Sequence, residues 1–518
     1  MLYQIYPRSF ADSNHDGYGD LPGITQHLDY LAWLGIDGIW LNPTMPSPNG
    51  DWGYDVSDYT GVHPDFGTLD DMDRLVEAAG KRGIHVLLDL VPNHTSSSHP
   101  WFTDALSSRT ARHRDWYVFA AGRDGGPPNN WLSATVDPAW TLDEKSGEWY
   151  LHNFLPCQPD LNWWNPEVKT AFDEILRFWL DRHIAGFRID VAHGIVKDAK
   201  LRNNPPAQPL DPKDWVERGQ RPLYNGEQPE VHEIHRHWRR LADEYQSSPL
   251  LYGETYVTDP SRMVPFYGTE DAPELHLTLN AAFLDAPFDP SVLRSITRET
   301  FALLPPGATA TWTVSNHDKS RFTTRWGGGE EDRIRCILML LLLLPGVPVI
   351  YYGDELGMED TRITLSQKRD TMVPHQGNTI GRDPSRTPMP WNSEPGAGFT
   401  APTVTPWLPF GTLERNVADQ KKDADSTLNF TRKLIALRRS HTDLRESGYA
   451  ELPEKSTWGW RRGAFTVVLN LGDLDADCPS HGRPMLTTST AVERNKTKDG
   501  SRIMQLPAWS GALFGPPE

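Results

Sequence analysis

Apolar positions along the first four-fifths of the chain follow two alternating rhythms. Short, nearly continuous apolar or β-branched runs stand at 3–6, 38–41, 85–91, 186–190, 250–254, 275–279, 310–314 and 347–351. A strand covered on both faces reads as such a run rather than as strict alternation. Between the runs, apolar residues recur at helical spacing, as at 69–81, 166–183, 230–246 and 330–344. Strands alternating with helices predict a parallel sheet with helical crossovers, and eight such units predict an α/β fold of the TIM (β/α)8 barrel type. One connection departs from the rhythm. The stretch after the third strand, about 94–165, is too long for a plain loop and is rich in Trp, Gly and Pro, which predicts an inserted lobe over the barrel mouth. Beyond a last helix near 426–440 the runs shorten, at 458–462, 464–469 and 503–507, and predict a C-terminal antiparallel β-sandwich. The expected organisation is a barrel at 1–94 and 166–440, a lobe at 95–165 and a terminal β domain at 441–518.

Three of the strand-like runs lead into acidic residues: Asp190 in GFRID, Glu254 in LLYGET and Asp318 in TVSNHD. Barrel strand ends are where catalytic groups gather. Any one such acid reads equally well as a helix cap, but three in one register suit chemistry that needs paired carboxyls. Cleavage of a glycosidic bond with retention is of that kind, needing a carboxylate nucleophile and a carboxylic acid about 5–5.5 Å apart. Arg188 lies two residues before Asp190, hence on the same strand face, where its charge favours an ionised Asp190.

Composition narrows the setting. The 518 residues carry 51 basic and 69 acidic side chains, a net charge of −18, with no long basic run, so nucleic acid and anionic membranes are poor partners. The 20 Trp, 16 Tyr and 18 Phe offer flat apolar faces of the kind sugar rings pack on. Cys157, Cys336 and Cys478 are odd in number and far apart, which fits no disulfide framework and points to a reducing, cytoplasmic compartment. The N-terminus shows no charged-then-apolar leader, although the chain begins almost inside its first strand and a short leader preceding it is conceivable. The greasiest run, 337–344, stops at Pro345-Gly346 and is expected to be a buried barrel helix. The first loop carries a separate signal. Asp12, Asn14, Asp16 and Asp20 place side-chain oxygens at positions 1, 3, 5 and 9, with Gly17 at position 6 and the Tyr18 carbonyl between the last two, a donor set suited to a structural Ca²⁺ or Mg²⁺. A polar turn is the plainer reading, since no acid stands at position 12. No organic cofactor is expected.

In order along this frame, the blocks GIDGIWLNP (35–43), DLVPNH (89–94), QPDLNW (158–163), GFRIDVAH (186–193), YGET (252–255), NHD (316–318) and GVPVIYYGDE (346–355) resemble the α-amylase superfamily, glycoside hydrolase family 13, over almost the whole chain. QPDLN resembles the form found in the α-glucosidase and oligo-1,6-glucosidase branch. The resemblance implies Asp190 as nucleophile, Glu254 as general acid/base and Asp318 as the carboxylate that binds sugar hydroxyls. Chemistry asks for the same division, because only a neutral carboxyl can protonate the leaving oxygen. By the same resemblance His94 and His317 bind the reacting sugar; Asp51, Tyr54 and Arg382 grip the terminal glucose; and Phe154 packs on the entering sugar, although a buried lobe aromatic is nearly as good a reading of Phe154. Arg386 is expected to anchor its loop. An acid at Asp51 closes off further sugar subsites, implying release of one glucose at a time. The expected substrates are small α-glucosides such as maltose, isomaltose or sucrose, and the expected state is a monomer or homodimer.

Three departures bear on linkage. Val191 after the nucleophile goes with α-1,6 preference in this branch, Pro390 stands where Gln is common, and Lys319-Ser320 stand where Gln-Pro is typical, the last two near the aglycone side. Transglucosidases and sucrose- or trehalose-type isomerases use the same constellation, so they remain alternatives. A non-catalytic, transporter-associated relative is a distant one, since here every carboxylate and Arg188 are present.

Overall fold

The protein is described by a computed structural model over residues 1–372, 380–454, 456–479, 481, 484–489, 492–494 and 503–516. Eight parallel strands form one sheet: β1 Leu2–Ile5, β2 Gly38–Leu41, β3 His85–Leu90, β4 Gly186–Ile189, β5 Leu250–Gly253, β6 Leu277–Thr278, β7 Thr311–Thr313 and β8 Val347–Tyr351. Their order is 7-8-1-2-3-4-5-6, so sequential strands are neighbours and β8 pairs with β1 through Leu2 opposite Val349. That is the barrel expected from the apolar runs. The strands are fully buried apart from a few starting residues, which is why their sequences show no polar face.

Local signals set the surrounding helices. Thr68 opens the helix Leu69–Gly80 with a capping box closed by Asp71, and Asn165 caps Pro166–Asp181 ahead of a proline at its first position. The apolar run at 337–344 forms the last turns and the C-cap of the helix Glu331–Leu343, which packs against the helix Thr427–Ser440 and a C-terminal strand, Ser510–Phe514. At the start of β4, Gly186 has φ 147°, and a Cβ there would lie 2.1 Å from the Leu250 carbonyl oxygen, so only glycine lets β4 and β5 approach.

The segment between β3 and the helix Pro166–Asp181 holds a three-stranded antiparallel sheet, Phe119–Ala121, Glu148–Leu151 and Trp140–Asp143. It is tied to the barrel by a buried ion pair between Lys197 Nζ and Asp160 Oδ2 at 2.8 Å. At the C-terminus a five-stranded and a three-stranded antiparallel sheet enclose a small core of Leu452, Val468, Cys478, Met504, Leu506, Ala512 and Phe514. Five of those strands, Ala450–Glu451, Ala476–Pro479, Pro484–Thr487, Val492–Arg494 and Ser510–Phe514, go beyond the three the sequence pattern indicated. Among the described residues no helix is long and apolar enough to cross a membrane.

Candidate active site

The ladder continues one residue past the strands at one rim of the barrel. Asp190 N donates to the Leu90 carbonyl at 2.8 Å, and Glu254 N donates to the Ile189 carbonyl at 2.8 Å, so the two carboxyls leave neighbouring strands at the same height. Asp318 reaches the same rim differently, from the loop beyond β7 rather than from a strand end, held by its own N–H donating to Asn316 Oδ1 at 2.9 Å.

Arg188 organises the centre. Its Nη1 donates to Asp190 Oδ1 at 2.6 Å and to Asp89 Oδ1 at 2.9 Å, while Nη2 pairs with Glu254 Oε1 at 2.8 Å. The guanidinium lies 5.0 Å from the Trp40 ring centroid and is buried. Three carboxyls around one guanidinium leave an excess of negative charge in a dry place, which raises the cluster's affinity for a proton. Burial pushes Asp89 up to about 6, against the pull of Arg188. Burial also drives Asp190 upward, with Glu254 and Asp89 adding to it and Arg188 opposing, so Arg188 alone does not hold Asp190 in the low range that its sequence position suggested. A cavity lined by Trp40, Arg188, Tyr252, Glu254 and Asn316 lies beside the cluster.

Val191, immediately after Asp190, sits at φ 48°, a costly region for a β-branched residue. That turn aims its N–H at Glu254 Oε2, at 2.9 Å.

A second charged network centres on Arg382. Arg382 donates to Asp51 Oδ1 at 2.6 Å, Asp318 Oδ1 at 3.0 Å and Asp370 Oδ1 at 2.7 Å. Burial works against ionisation of Asp318, yet His317, Arg382, Arg386 and Arg188 together hold it far below the usual carboxylate range. Asp51, gripped also by Gln158 at 3.1 Å, is raised by burial despite Arg382. Arg386 anchors its loop, as expected, with Nε donating to the His317 carbonyl at 2.7 Å, but its Nη2 also reaches Asp318 Oδ1 at 3.2 Å.

Tyr54 links the two networks. Its ring is stacked on His317, with centroids 5.3 Å apart and planes at 7°, and its hydroxyl lies 2.9 Å from Asp89 Oδ2 and 2.6 Å from His317 Nε2. Burial keeps both histidines neutral, pushing His94 down to about 4 and His317 well below the usual imidazole range. His94 meets Gln158 at 3.0 Å and the half-buried Phe154 ring at a centroid distance of 5.2 Å. The structure therefore gathers Asp51, Tyr54, His94, Phe154, Arg188, Asp190, Glu254, His317, Asp318 and Arg382 in one place. Sequence reasoning missed Asp89, Asp370 and Gln158. An acid inside the apolar run of β3, opposite Arg188 in the β4 register, was the available signal for Asp89.

The 12–20 loop lies apart from these groups. Asp12 accepts from the N–H groups of His15 and Gly17 and from Thr400 Oγ1, Asp16 from Tyr18 N, and Asp20 from Ser13 and Gly23. Among the described residues none of Asp12, Asp16 and Asp20 has a Lys or Arg partner, and no three His, Cys, Asp or Glu side chains converge as metal ligands do. These carboxylates have oxygen-only companions, the donor type a hard cation takes, but they are not gathered around one point.

The comparisons agree with this geometry. The family profile described as "Alpha amylase, catalytic domain" matches residues 4–447. A probable α-glucosidase of Rhizobium meliloti is 39% identical, with 99% of this chain and 96% of the relative covered. An oligo-1,6-glucosidase of Parageobacillus thermoglucosidasius is 37% identical over 85% of this chain and 83% of its own length. The crystal structure of the α-glucosyl transfer enzyme XgtA superposes with a TM-score of 0.90 at 35% identity, covering 99% of this chain and 98% of the other. With an eight-stranded barrel, strand-end acids sharing one arginine and these relatives, the chain belongs to the α-amylase family of glycoside hydrolases, in the branch of the α-glucosidases and oligo-1,6-glucosidases.

Proposed function

We propose that the protein is a retaining, exo-acting α-glucosidase that releases terminal non-reducing glucose from short α-glucosides. One observation carries this reading: the two η nitrogens of Arg188 hold Asp190 and Glu254 side by side. That arrangement suits attack and protonation at a single anomeric carbon, which in retaining enzymes needs carboxyls about 5–5.5 Å apart. Asp190 attacks the anomeric carbon while Glu254 gives its proton to the glycosidic oxygen, so the C–O bond breaks and the aglycone leaves as an alcohol. Water then bonds to the same carbon, passes a proton to Glu254 and frees Asp190, yielding α-glucose. Asp318, fixed as an anion by four cations or donors, takes the sugar hydroxyls, and the Arg382–Asp51–Asp370 network closes the glycone end, which supports one-glucose release. Three free cysteines, two of them buried, support a reducing cytoplasmic setting. The donor set of Asp12, Asn14, Asp16, Asp20 and the Tyr18 carbonyl would hold a structural Ca²⁺ or Mg²⁺ that stiffens the first loop and takes no part in the chemistry.

The test is product analysis by NMR on maltose, isomaltose and sucrose, with Asp190→Asn and Glu254→Gln alongside. Free α-glucose as first product is expected, with both variants slower by several powers of ten. Initial β-glucose, or variants with full activity, would sink the proposal. The likeness to an α-glucosyl transfer enzyme favours one second reading, a transglucosidase, and an isomerase of the sucrose or trehalose type would share it. Either would yield rearranged or longer glucosides at every substrate concentration.

A further inference from the structure

A charged trio beside the carboxyls has no part in the chemistry described so far. Lys319 directly follows Asp318, and Tyr256 stands two residues beyond Glu254. Asp285, from the short helix Ala281–Asp285, joins them: its Oδ1 lies 2.8 Å from Lys319 Nζ, and its Oδ2 accepts from the Tyr256 hydroxyl. The Lys319 ammonium also lies 5.1 Å from the centroid of the Tyr256 ring. We propose that Lys319, braced by Tyr256 and Asp285, determines specificity by contacting the second sugar, the leaving or accepting one, in the reaction proposed above.

The placement argues for this. Arg382 with Asp51 and Asp370 closes one end of the site, so a sugar attached through the scissile bond must extend from the other end, past Glu254. Tyr256 follows Glu254 by two residues, and Asp285 and Lys319 are gathered around it. Burial raises the Tyr256 phenol's hold on its proton, Asp285 adds to it, and the carboxylates of Asp318 and Glu254 add further.

The chemistry fits a neutral, hydroxyl-rich ring. An ammonium carries three N–H donors, and among the described residues Asp285 is the only ion-pair partner of Lys319. Two donors are left for hydroxyl oxygens, and the side chain is 31% exposed, open enough to meet a ligand and covered enough to be held. Asp285 balances the charge, so the trio does not call for an anionic partner. The Tyr256 ring supplies a flat face of the kind that packs against a sugar.

Since this rests on the proposed α-glucosidase reading, the experiment separates the two. The values of kcat/KM on maltose, isomaltose and α-glucosyl fluoride are compared for the wild type, Lys319→Met and Asp285→Asn. The fluoride carries the same glucose but no second sugar. For Lys319→Met the ratio of disaccharide to fluoride kcat/KM is expected to fall about tenfold, as for the loss of a charged hydrogen bond. Asp285→Asn, which keeps the ammonium but loosens it, is expected to lower the ratio less. An unchanged ratio, or a parallel loss on all three substrates, overturns the role of Lys319. A wild type that releases no glucose from the fluoride defeats the α-glucosidase reading itself.

Discussion

Asp89 touches no bond that the proposed reaction breaks, yet it shares Arg188 with both acids and takes a hydrogen bond from Tyr54 and another from Trp40 Nε1 at 3.2 Å. Burial is the main cause of the raised proton affinity of Asp190, and the charge of Asp89 adds to it after that of Glu254. Asp89→Asn keeps the shape and removes that charge. Asp190 should then give up its proton more easily, so the acid limb of the kcat/KM profile is expected to move to lower pH by on the order of one unit. Profiles of the wild type and the variant between pH 4 and 8 check this, and an unmoved limb would count against a raised Asp190. Asp89 escaped notice because an acid in a strand buried on both faces has no polar face to mark it; only the register against Arg188 exposes its partner. Asp370 escaped for a different reason. It meets Arg382 across a loop whose path depends on tertiary contacts rather than on any periodicity.

At the level of elements, the 12–20 loop is the clearest case of a signal that geometry leaves open. Its acids serve local N–H groups, and Asp20 also caps the helix Leu21–Gln26 through Gly23 N at 2.6 Å. A bound cation would neutralise three carboxylates that lack basic partners, and by mass action a ligand at about 100 times its Kd adds about 2.7 kcal/mol to stability. Chelation with EDTA is therefore expected to lower Tm by a few degrees, and added Ca²⁺ or Mg²⁺ to restore it. In Asp16→Ala, which removes an exposed side chain with only local bonds, the difference should vanish. Equal thermograms with and without chelator would reduce the loop to a polar turn. The barrel strands were legible because double burial writes each of them as an apolar run, and the helices because caps such as Thr68 and Asn165 sit at their starts. Several terminal strands were not, since they are short and partly exposed: Pro484–Thr487, for example, keeps its first two residues in solvent. Asp318 was read as a strand-end residue because the stretch 309–318 is β-rich, but β7 stops at Thr313 once the chain turns to place His317 under Tyr54.

Across the whole molecule, buried titratable groups outside the site set how stability responds to pH. His235 is fully buried, with Nε2 2.8 Å from the Ala192 carbonyl and Nδ1 without a hydrogen-bond partner among the described residues, so it braces the loop that follows Asp190. Burial, aided by His232, Arg236 and His193 and opposed by the Ala192 bond, pushes it down to about 4. The unfolded chain takes up this proton below about 6.5, and the folded chain only below about 4. Its contribution to stability is thus complete above about 6.5 and is lost as pH falls towards 4. Asp354 has the opposite sign: burial lifts it up to about 8, so it favours the fold while protonated, and that contribution is lost as pH rises from about 4 towards 8. From pH 6.5 to 5, His235 alone should remove about 2 kcal/mol, at about 1.4 kcal/mol per pH unit for one proton. His235→Gln cannot take up that proton, so its unfolding free energy, measured in urea at pH 7, 6 and 5, is expected to fall less steeply than that of the wild type by about this amount. Parallel slopes would mean that His235 titrates alike in the folded and unfolded chains, and that its burial leaves no mark on the acid side of the stability curve.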